Sequence, residues 1–221
     1  MLIIKLHSLV IRLAFLLRSW GKRVGALLGH CRKAQVGSGW WWLELLVRLL
    51  ELGGLFVGYE TLADWVKWNT RPLNEAERKL ARSFFGENIR LELVRVDRLA
   101  LLGSRQKRFA YVSLHTVNYW REISDSVLIH ELVHVWQYEQ LGAVYLVKAI
   151  RAQRSGEGYN YGGVEALRGK AFLDFNLEQQ AEIAMDYFRL KHGLKPQWGK
   201  AGVEDLAIYE RILSPLFKII P

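Results

Sequence analysis

Residues 124–142, SDSVLIHELVHVWQYEQLG, carry the pattern that most restricts how this chain can fold. A Ser or Asp cap opens the stretch, apolar residues recur at helical spacing and a glycine ends it, so it predicts a long helix. His130 and His134 are four residues apart and leave the same face of that helix. Glu131 lies one step around the helix. Two imidazoles at this spacing can converge on one metal ion, with the carboxylate placed to take a proton from a water.

A metal site of this kind needs a third protein ligand and an open fourth position. The best candidate is Glu178 in FNLEQQAEIAMDYF, on a second predicted helix. Asn176 is the expected N-cap of that helix, with Gln179 three residues later. Glu182 follows one turn after Glu178 on the same face, where it is predicted to accept a hydrogen bond from a ligating histidine. Two aspartates are weaker candidates for the third ligand, Asp174 and Asp186.

A structural interpretation of the same residues stands beside the metal-binding one. Two histidines on a partly buried helix face need not bind anything. Glu178 and Glu182 would, taken alone, be a solvated acidic face. The single cysteine, Cys31, excludes both an intramolecular disulfide and a cysteine-rich zinc site, so a metal here must be held by histidine and carboxylate.

The segment SGEGYNYGGVEAL, between the second and third predicted ligands, supplies candidates for stabilising a tetrahedral oxyanion. A tyrosine hydroxyl or a protonated histidine serves that purpose. Tyr159 and Tyr161 are the candidates in the segment, and His192 is a third. Loop packing is the alternative for each. His115 is predicted to be structural or exposed rather than a ligand.

Charge is concentrated at the N-terminus of the chain. The formal net charge is +9, and residues 1–43 hold seven basic residues and no acidic one. The rest of the chain is therefore close to neutral, which argues against nucleic acid as a partner. Residues 1–28 predict a cationic amphipathic helix that packs on the domain or on a partner subunit, or lies on an anionic membrane surface. Its polar stripe consists of Lys5, Ser8, Arg12, Ser19 and Lys22, with Phe15 as the apolar exception.

A helical region is predicted for residues 40–70, after a glycine-rich linker at 34–39. Glu44, Arg48 and Glu51 have helical spacing and predict a solvated stripe opposite several leucines. The cluster Trp40, Trp41 and Trp42 predicts either an interfacial membrane anchor or packing against the domain. A further helix is expected from Leu62 to Trp68.

Residues 71–221 are predicted to form an α+β domain. Its first helix starts at Asn74, where Glu77 closes a capping box, and stops at Gly86. Two strands are expected at 89–96 and 109–114, with a charged turn at 103–108 before the second. The edge of the second strand would hold an extended substrate by main-chain pairing.

The motif HELVH, followed by a helix bearing Glu-x-x-Ala-Glu, resembles the gluzincin pattern of zinc peptidases. The blocks LNEAERKLARSFFGENIRLELVRV, VLIHELVHVWQYEQ and FNLEQQAEI resemble more narrowly a metallopeptidase domain found beside bacterial contractile injection systems, in Vgr-related proteins. This similarity covers residues 70–192. It implies a zincin-like fold with zinc held by His130, His134 and Glu178. The chain departs from the pattern at Glu182, where many members have Asp.

The sequence thus predicts a zinc metallopeptidase in which Glu131 is the catalytic base. The expected partners are a peptide or protein substrate, a secretion-system component and an anionic membrane reached through residues 1–39. The expected location is the bacterial cytoplasm, or outside it after export by a dedicated secretion machine, with peripheral membrane association. The alternative is a non-catalytic, zinc-containing interaction module at a membrane.

Overall fold

The computed structural model describes residues 2–67, 69–100 and 109–217, with side chains from residue 5 onward. The fold is α+β, mostly helical with one small mixed sheet. The helices are α1 (Leu2–Arg32), α2 (Gly39–Leu52), α3 (Leu55–Val66), α4 (Glu75–Phe85), α5 (Asp125–Leu141), α6 (Val144–Gln153), α7 (Gly163–Gly169), α8 (Leu177–Lys191) and α9 (Leu206–Leu213). The strands are β1 (Thr70–Pro72), β2 (Arg95–Asp97), β3 (Tyr111–Ser113) and β4 (Thr116–Asn118). The charged turn predicted at 103–108 and the helix end predicted at Trp68 lie outside the described residues.

The sheet has the strand order β1-β2-β4-β3. The β2–β4 pair is parallel, with Val96 opposite Val117, and the two outer pairs are antiparallel. Strand β3 is therefore an edge of the described sheet. Its expected position at 109–114 is confirmed for residues 111–113, whereas β4, which follows after two residues, was not predicted.

The strand predicted at 89–96 is wrong for most of its length, because only Arg95 onward is extended. Residues 89–94 form turns, in which the N–H of Leu93 donates to the carbonyl of Arg90. The N–H of Arg90 donates to Glu139 Oε1 at 2.8 Å, so a side chain takes the place of a strand partner. Ile89 and Leu91 are buried. Burial therefore alternates along residues 89–93 as the sequence suggested, but the backbone forms turns and not a strand.

The three helix starts predicted from capping residues are confirmed. Asn74 and Glu77 form a reciprocal capping box at α4, which ends at Gly86 with a positive φ of 57°. Ser124 caps α5. Asn176 caps α8 by accepting from two N–H groups of the first turn. Helices α5 and α8 pack against each other, and both are buried over most of their length.

Helix α1 turns the first part of its polar stripe inward, although Lys22 at the end of the stripe is exposed. Over this part its orientation is the reverse of an ordinary amphipathic surface helix. Ser8 and Arg12 are buried, and Arg12 pairs with Asp64 of α3 at 3.2 Å. Phe15 is buried beside the rings of His115 and Tyr138. The opposite, apolar face of α1 is exposed, with Leu6, Val10, Leu13, Leu17 and Trp20 at helical spacing.

Helix α2 is reversed in the same way, which corrects the expected solvated stripe. Glu51 is buried, accepts the N–H of Ala143 at 2.7 Å and pairs with Arg23 at 3.3 Å. Glu44 and Arg48 are mostly buried as well. The leucines on the other face, Leu46, Leu49 and Leu50, are exposed. Of the tryptophan cluster, Trp41 is buried against the His30 ring and Trp42 is exposed.

His115 is structural, which is one of the two alternatives expected from the sequence, structural or exposed. It is fully buried, with Nδ1 at 2.9 Å from Glu60 Oε1 and Nε2 at 3.4 Å from Glu139 Oε1. Burial opposes its charge, but the two carboxylates outweigh burial and raise the pKa of His115 to about 9. Glu60 belongs to α3, so this pair fastens the N-terminal helices to the sheet. The domain boundaries at residues 39 and 70 remain predictions.

None of the helices in the described ranges has the length and apolar composition that a membrane crossing requires.

Candidate metal centre

A cleft of about 680 Å³ lies between α5, α6, α8 and the edge strand β3. Its floor carries the two histidines of HELVH, and its wall carries the two glutamates predicted on α8. Its lining includes Phe109, Ala110, Tyr111, Val112, His130, Glu131, His134, Gln153, Tyr159, Glu178 and Glu182. The cleft therefore brings together residues from six separate segments of the chain, 109–112, 127–134, 145–153, 159, 178–185 and 197–198.

Three side chains converge on one point in the cleft. The Nε2 atoms of His130 and His134 lie 3.8 and 3.4 Å from the same oxygen, Oε2 of Glu178. One ligand atom from each residue lies within 4.8 Å of the others. A tetrahedral zinc ion with bonds of about 2.0–2.1 Å holds its donors about 3.3–3.4 Å apart. The donor types are those of such an ion, and of the two spacings to Glu178 one equals and the other somewhat exceeds the distance it requires.

Glu178 reaches this point because of how α8 begins. Its N–H is capped by Asn176, which fixes the first turn, and its Oε1 accepts from Gln153 Nε2 at 2.9 Å. That contact leaves Oε2 for the two imidazoles. Burial alone would raise the pKa of Glu178, but His134 and His130 outweigh it and hold the pKa well below its usual range. The carboxylate is kept ionised, the form that binds a metal.

His134 is oriented by Gln137, one turn further along α5. The His134 Nδ1 atom lies 2.8 Å from Gln137 Oε1, which can only accept, so Nδ1 carries a proton and Nε2 is the nitrogen that faces Glu178. An ion bound at Nε2 would take the place of the proton held there in the ion-free protein. Gln137 Nε2 donates to the carbonyl of Leu177 and to Gln180 Oε1, both at 2.9 Å. Burial lowers the pKa of His134, but Glu178 outweighs it and raises the pKa to about 9.

His130 faces Glu182 with its other nitrogen. The Nδ1 atom lies 3.4 Å from Glu182 Oε1, without the alignment of a hydrogen bond. Burial is the main cause that raises the pKa of Glu182 to about 7. Glu182 thus occupies the position expected for an acceptor to His130, one turn beyond Glu178, while the hydrogen bond itself is not formed.

Glu131 is buried beside the histidine pair, and its Oε2 has no hydrogen-bond partner among the described residues. Burial raises its pKa, partly offset by the two histidines. An unpaired, buried carboxylate next to a metal-ligand cluster is free to accept a proton from a molecule in the cleft.

The oxyanion candidates separate clearly. Tyr159 lines the cleft, and its ring centroid is 6.4 Å from that of His130. Tyr161 is not brought to the cluster, because its hydroxyl is bonded to Asp186 at 2.8 Å and to Tyr209 at 2.6 Å. His192 ends α8, outside the cleft, with Nδ1 at 2.8 Å from the carbonyl of Phe188.

The two weaker candidates for the third ligand lie elsewhere. Asp174 accepts the N–H of Ala171 in a short 3-10 turn. Asp186 is buried and accepts from the N–H groups of Gln197 and Trp198 as well as from Tyr161. Each carboxylate is occupied in a structural role, so Glu178 alone of the predicted carboxylate ligands joins the histidines.

Three glutamines of the site were not predicted, Gln137, Gln153 and Gln180. Gln137 had a signal, since it lies three residues after His134 and therefore on the same helix face. Gln153 belongs to another helix, and nothing in the local sequence relates it to Glu178.

Comparison with known proteins gives a partial relationship. The chain matches no family model. It is 29% identical over 137 residues to the type VI secretion system spike protein VgrG2b of Pseudomonas aeruginosa. That match covers 55% of this chain but only 13% of VgrG2b, so the chain corresponds to a small part of the spike protein. The effector domain of VgrG2b is a similar solved structure, with 21% identity, a TM-score of 0.45, and coverage of 74% of this chain and 95% of that domain. The sequence similarity supports the expected association with Vgr-related proteins.

Proposed function

We propose that the chain is a zinc-dependent metallopeptidase with a zincin-like catalytic domain. The observation that carries this proposal is the convergence of His130, His134 and Glu178 beside the unpaired carboxylate of Glu131. This donor set leaves a fourth position open to the cleft, which is typical of catalytic zinc sites and not of structural ones.

The two Nε2 atoms and Glu178 Oε2 would hold the ion. When bound, zinc supplies a Lewis acid that lowers the pKa of a water and polarises a carbonyl group. Gln137 fixes the ring of His134, and Gln153 fixes the carboxylate of Glu178. These contacts set the ligand geometry before any ion arrives, which reduces the cost of ordering the site.

Glu131 acts as the general base and then as the general acid. Its carboxylate accepts a proton from the attacking water and passes that proton to the leaving amine. Burial serves this function, because a carboxylate with a raised pKa is a stronger base than one in water. Tyr159 is the candidate that remains for stabilising the oxyanion.

An extended peptide is the substrate that the cleft suits best. Residues 109–112 border the cleft along the edge strand β3, whose outer main-chain groups can pair with a peptide. The Tyr145 hydroxyl already bonds the carbonyl of Val112 and the N–H of Leu114. The Asn118 side chain also donates to the carbonyl of Tyr111 at 3.3 Å, so pairing would use residues 109 and 110, which directly precede β3.

We further propose that the peptidase works as an effector or accessory of a bacterial secretion machine. The similarity to VgrG2b, a type VI secretion spike protein, supports this role and export by such a machine. A secretion-system component and a peptide or protein substrate are the partners that follow. Because the match covers a small part of VgrG2b, it supplies no substrate.

The competing function is a non-catalytic interaction module that keeps a zinc site for stability. Glu131 argues against it, since a structural site has no use for a buried base and takes four protein ligands. The described cluster has three.

Metal analysis of the purified full chain tests the proposal. We expect about one zinc per chain, and loss of that zinc in His130→Ala and His134→Ala, because each removes one of three ligands. His192→Ala, at the end of α8, is the matched control and should retain zinc. Hydrolysis of an unfolded polypeptide should stop on chelation and return with zinc. Wild-type protein that cannot take up zinc would contradict the proposal.

A further inference from the structure

The exposed apolar surface of the chain is concentrated on its first three helices. Of the 25 large hydrophobic side chains that the described residues expose, 17 lie between residues 6 and 66. The apolar stripe of α1, from Leu6 to Trp20, is joined by stripes on the two following helices. On α2 they are Trp42, Leu43, Leu46, Leu49 and Leu50, and on α3 they are Leu55, Tyr59, Leu62, Trp65 and Val66. The three helices contact one another. We call these residues the N-terminal apolar face.

The polar groups that would normally cover such helices are turned inward instead. Arg95 Nη2 donates to Ser8 at 3.1 Å, and its Nε lies 2.9 Å from Asp64. Lys5 donates to the carbonyl of Trp65 at 2.9 Å. Helices that bury these polar groups and expose most of their large apolar side chains are unfavourable in water, and an apolar surface of this kind marks a site of association.

Charge decides what associates with this surface. The four acidic residues of positions 5–67 all have buried or nearly buried side chains, Glu44, Glu51, Glu60 and Asp64. The basic residues Arg18, Lys22, Arg32 and Lys33 are exposed. The outer surface of the first three helices is therefore apolar and positively charged.

We propose that the N-terminal apolar face inserts into the interface of an anionic lipid bilayer. Leucines would enter the acyl boundary, exposed tryptophans would lie at the headgroup level, and the basic residues would meet lipid phosphates. A second copy of the chain fits less well, because two such faces would bring like charges together. The inference is independent of the peptidase activity and involves all three helices, not residues 1–39 alone.

Vesicle co-sedimentation of the full chain tests the proposal. We expect binding to phosphatidylcholine vesicles that contain phosphatidylglycerol, weakened by salt and by omission of the anionic lipid. The double variant Leu17→Glu, Leu62→Glu, at positions 74% and 64% exposed, should lower the partition coefficient by at least about tenfold. The control is Leu173→Glu, Val203→Glu, both 65% exposed but outside the face, which should bind like wild type.

Two further measurements, tryptophan quenching and sedimentation velocity, test whether the face itself enters the bilayer and whether it joins two copies of the chain instead. Vesicles with brominated acyl chains should quench wild-type tryptophan fluorescence, since Trp20, Trp42 and Trp65 are exposed on the face. Wild-type protein that neither sediments with anionic vesicles nor is quenched overturns the proposal, as does equal binding by the Leu17/Leu62 variant. A third result also overturns the proposal: wild type binds no vesicles, forms a dimer in sedimentation velocity, and the Leu17/Leu62 variant is a monomer. The face would then join two copies of the chain.

Discussion

Gln137 links the two halves of the candidate metal centre, and its replacement by leucine tests that link. Its Oε1 accepts from His134 Nδ1, and its Nε2 donates to the carbonyl of Leu177 and to Gln180 Oε1. Leucine has a similar size but no polar atoms. The substitution therefore removes all three hydrogen bonds while leaving the packing of α5 against α8 nearly filled.

The expected loss has two parts. Removing an outer partner of a metal-ligating histidine costs about 10–100-fold in metal affinity, since the imidazole is then free to rotate and to change tautomer. Because Gln137 is buried, water does not readily replace it, and each polar group left unpaired costs about 1–3 kcal/mol. We expect the free energy of unfolding of the zinc-free protein to fall by about 2–4 kcal/mol.

Competition with a chromophoric chelator measures the zinc affinity, and urea unfolding of the zinc-free protein measures the stability. Gln140→Leu is the control, since Gln140 is exposed on the same helix. Gln137→Glu keeps an acceptor for His134 and should retain more affinity than Gln137→Leu. If Gln137→Leu binds zinc as tightly as the Gln140 variant, then the Gln137 contact does not orient His134, and the description of the site is wrong.

Three other predictions follow from the site and the buried ion pairs. Glu178→Ala should weaken zinc binding much more than Glu182→Ala, whose loss is expected to cost about 10–100-fold, and equal effects would refute the ligand assignment. The free energy of unfolding of wild type should be about 4 kcal/mol lower without zinc than with free zinc at about 1,000 times its Kd. His134→Ala should show no such difference. His115 has a folded pKa raised to about 9, so its stabilising contribution is complete below about pH 6.5 and is lost as the pH rises through 9. Because His134 titrates in the same range without zinc, the test is the difference in urea-unfolding free energy between wild type and His115→Gln, which should shrink by about 3 kcal/mol as the pH rises through 9. A difference that does not change with pH would contradict the assignment.

The helices of the candidate site were predictable because local sequence determines them. Ser124, Asn176 and the box of Asn74 with Glu77 mark helix starts through hydrogen bonds to residues two or three positions away. The convergence of the HELVH residues with Glu178 has more distant causes, since it depends on how α5 packs on α8. The sequence pointed to Glu178 through its place in the first turn of a capped helix, the need for a third ligand and the resemblance to a known pattern, none of which shows how the two helices pack.

The predictions that were wrong concern segments whose structure is determined by residues distant in the sequence. Ile89 and Leu91 suggested a strand, but the partner of the Arg90 N–H is the Glu139 side chain, 49 residues away. Glu51 lies on the helical stripe expected to face solvent and is buried against Arg23 and the start of α6. The sequence pattern located these stripes correctly. It did not reveal which side of each helix faces the body of the protein.

The most direct test of the central claim is the rate of polypeptide hydrolysis by Glu131→Gln at a zinc content equal to that of wild type. The amide has nearly the same shape as the carboxylate but cannot accept the proton of the attacking water. We expect wild type to hydrolyse an unfolded protein and Glu131→Gln to be slower by about 10²–10⁴-fold with the fold and the zinc content unchanged. A variant that keeps its zinc and hydrolyses at the wild-type rate would show that Glu131 is not the base, and would contradict the proposed mechanism.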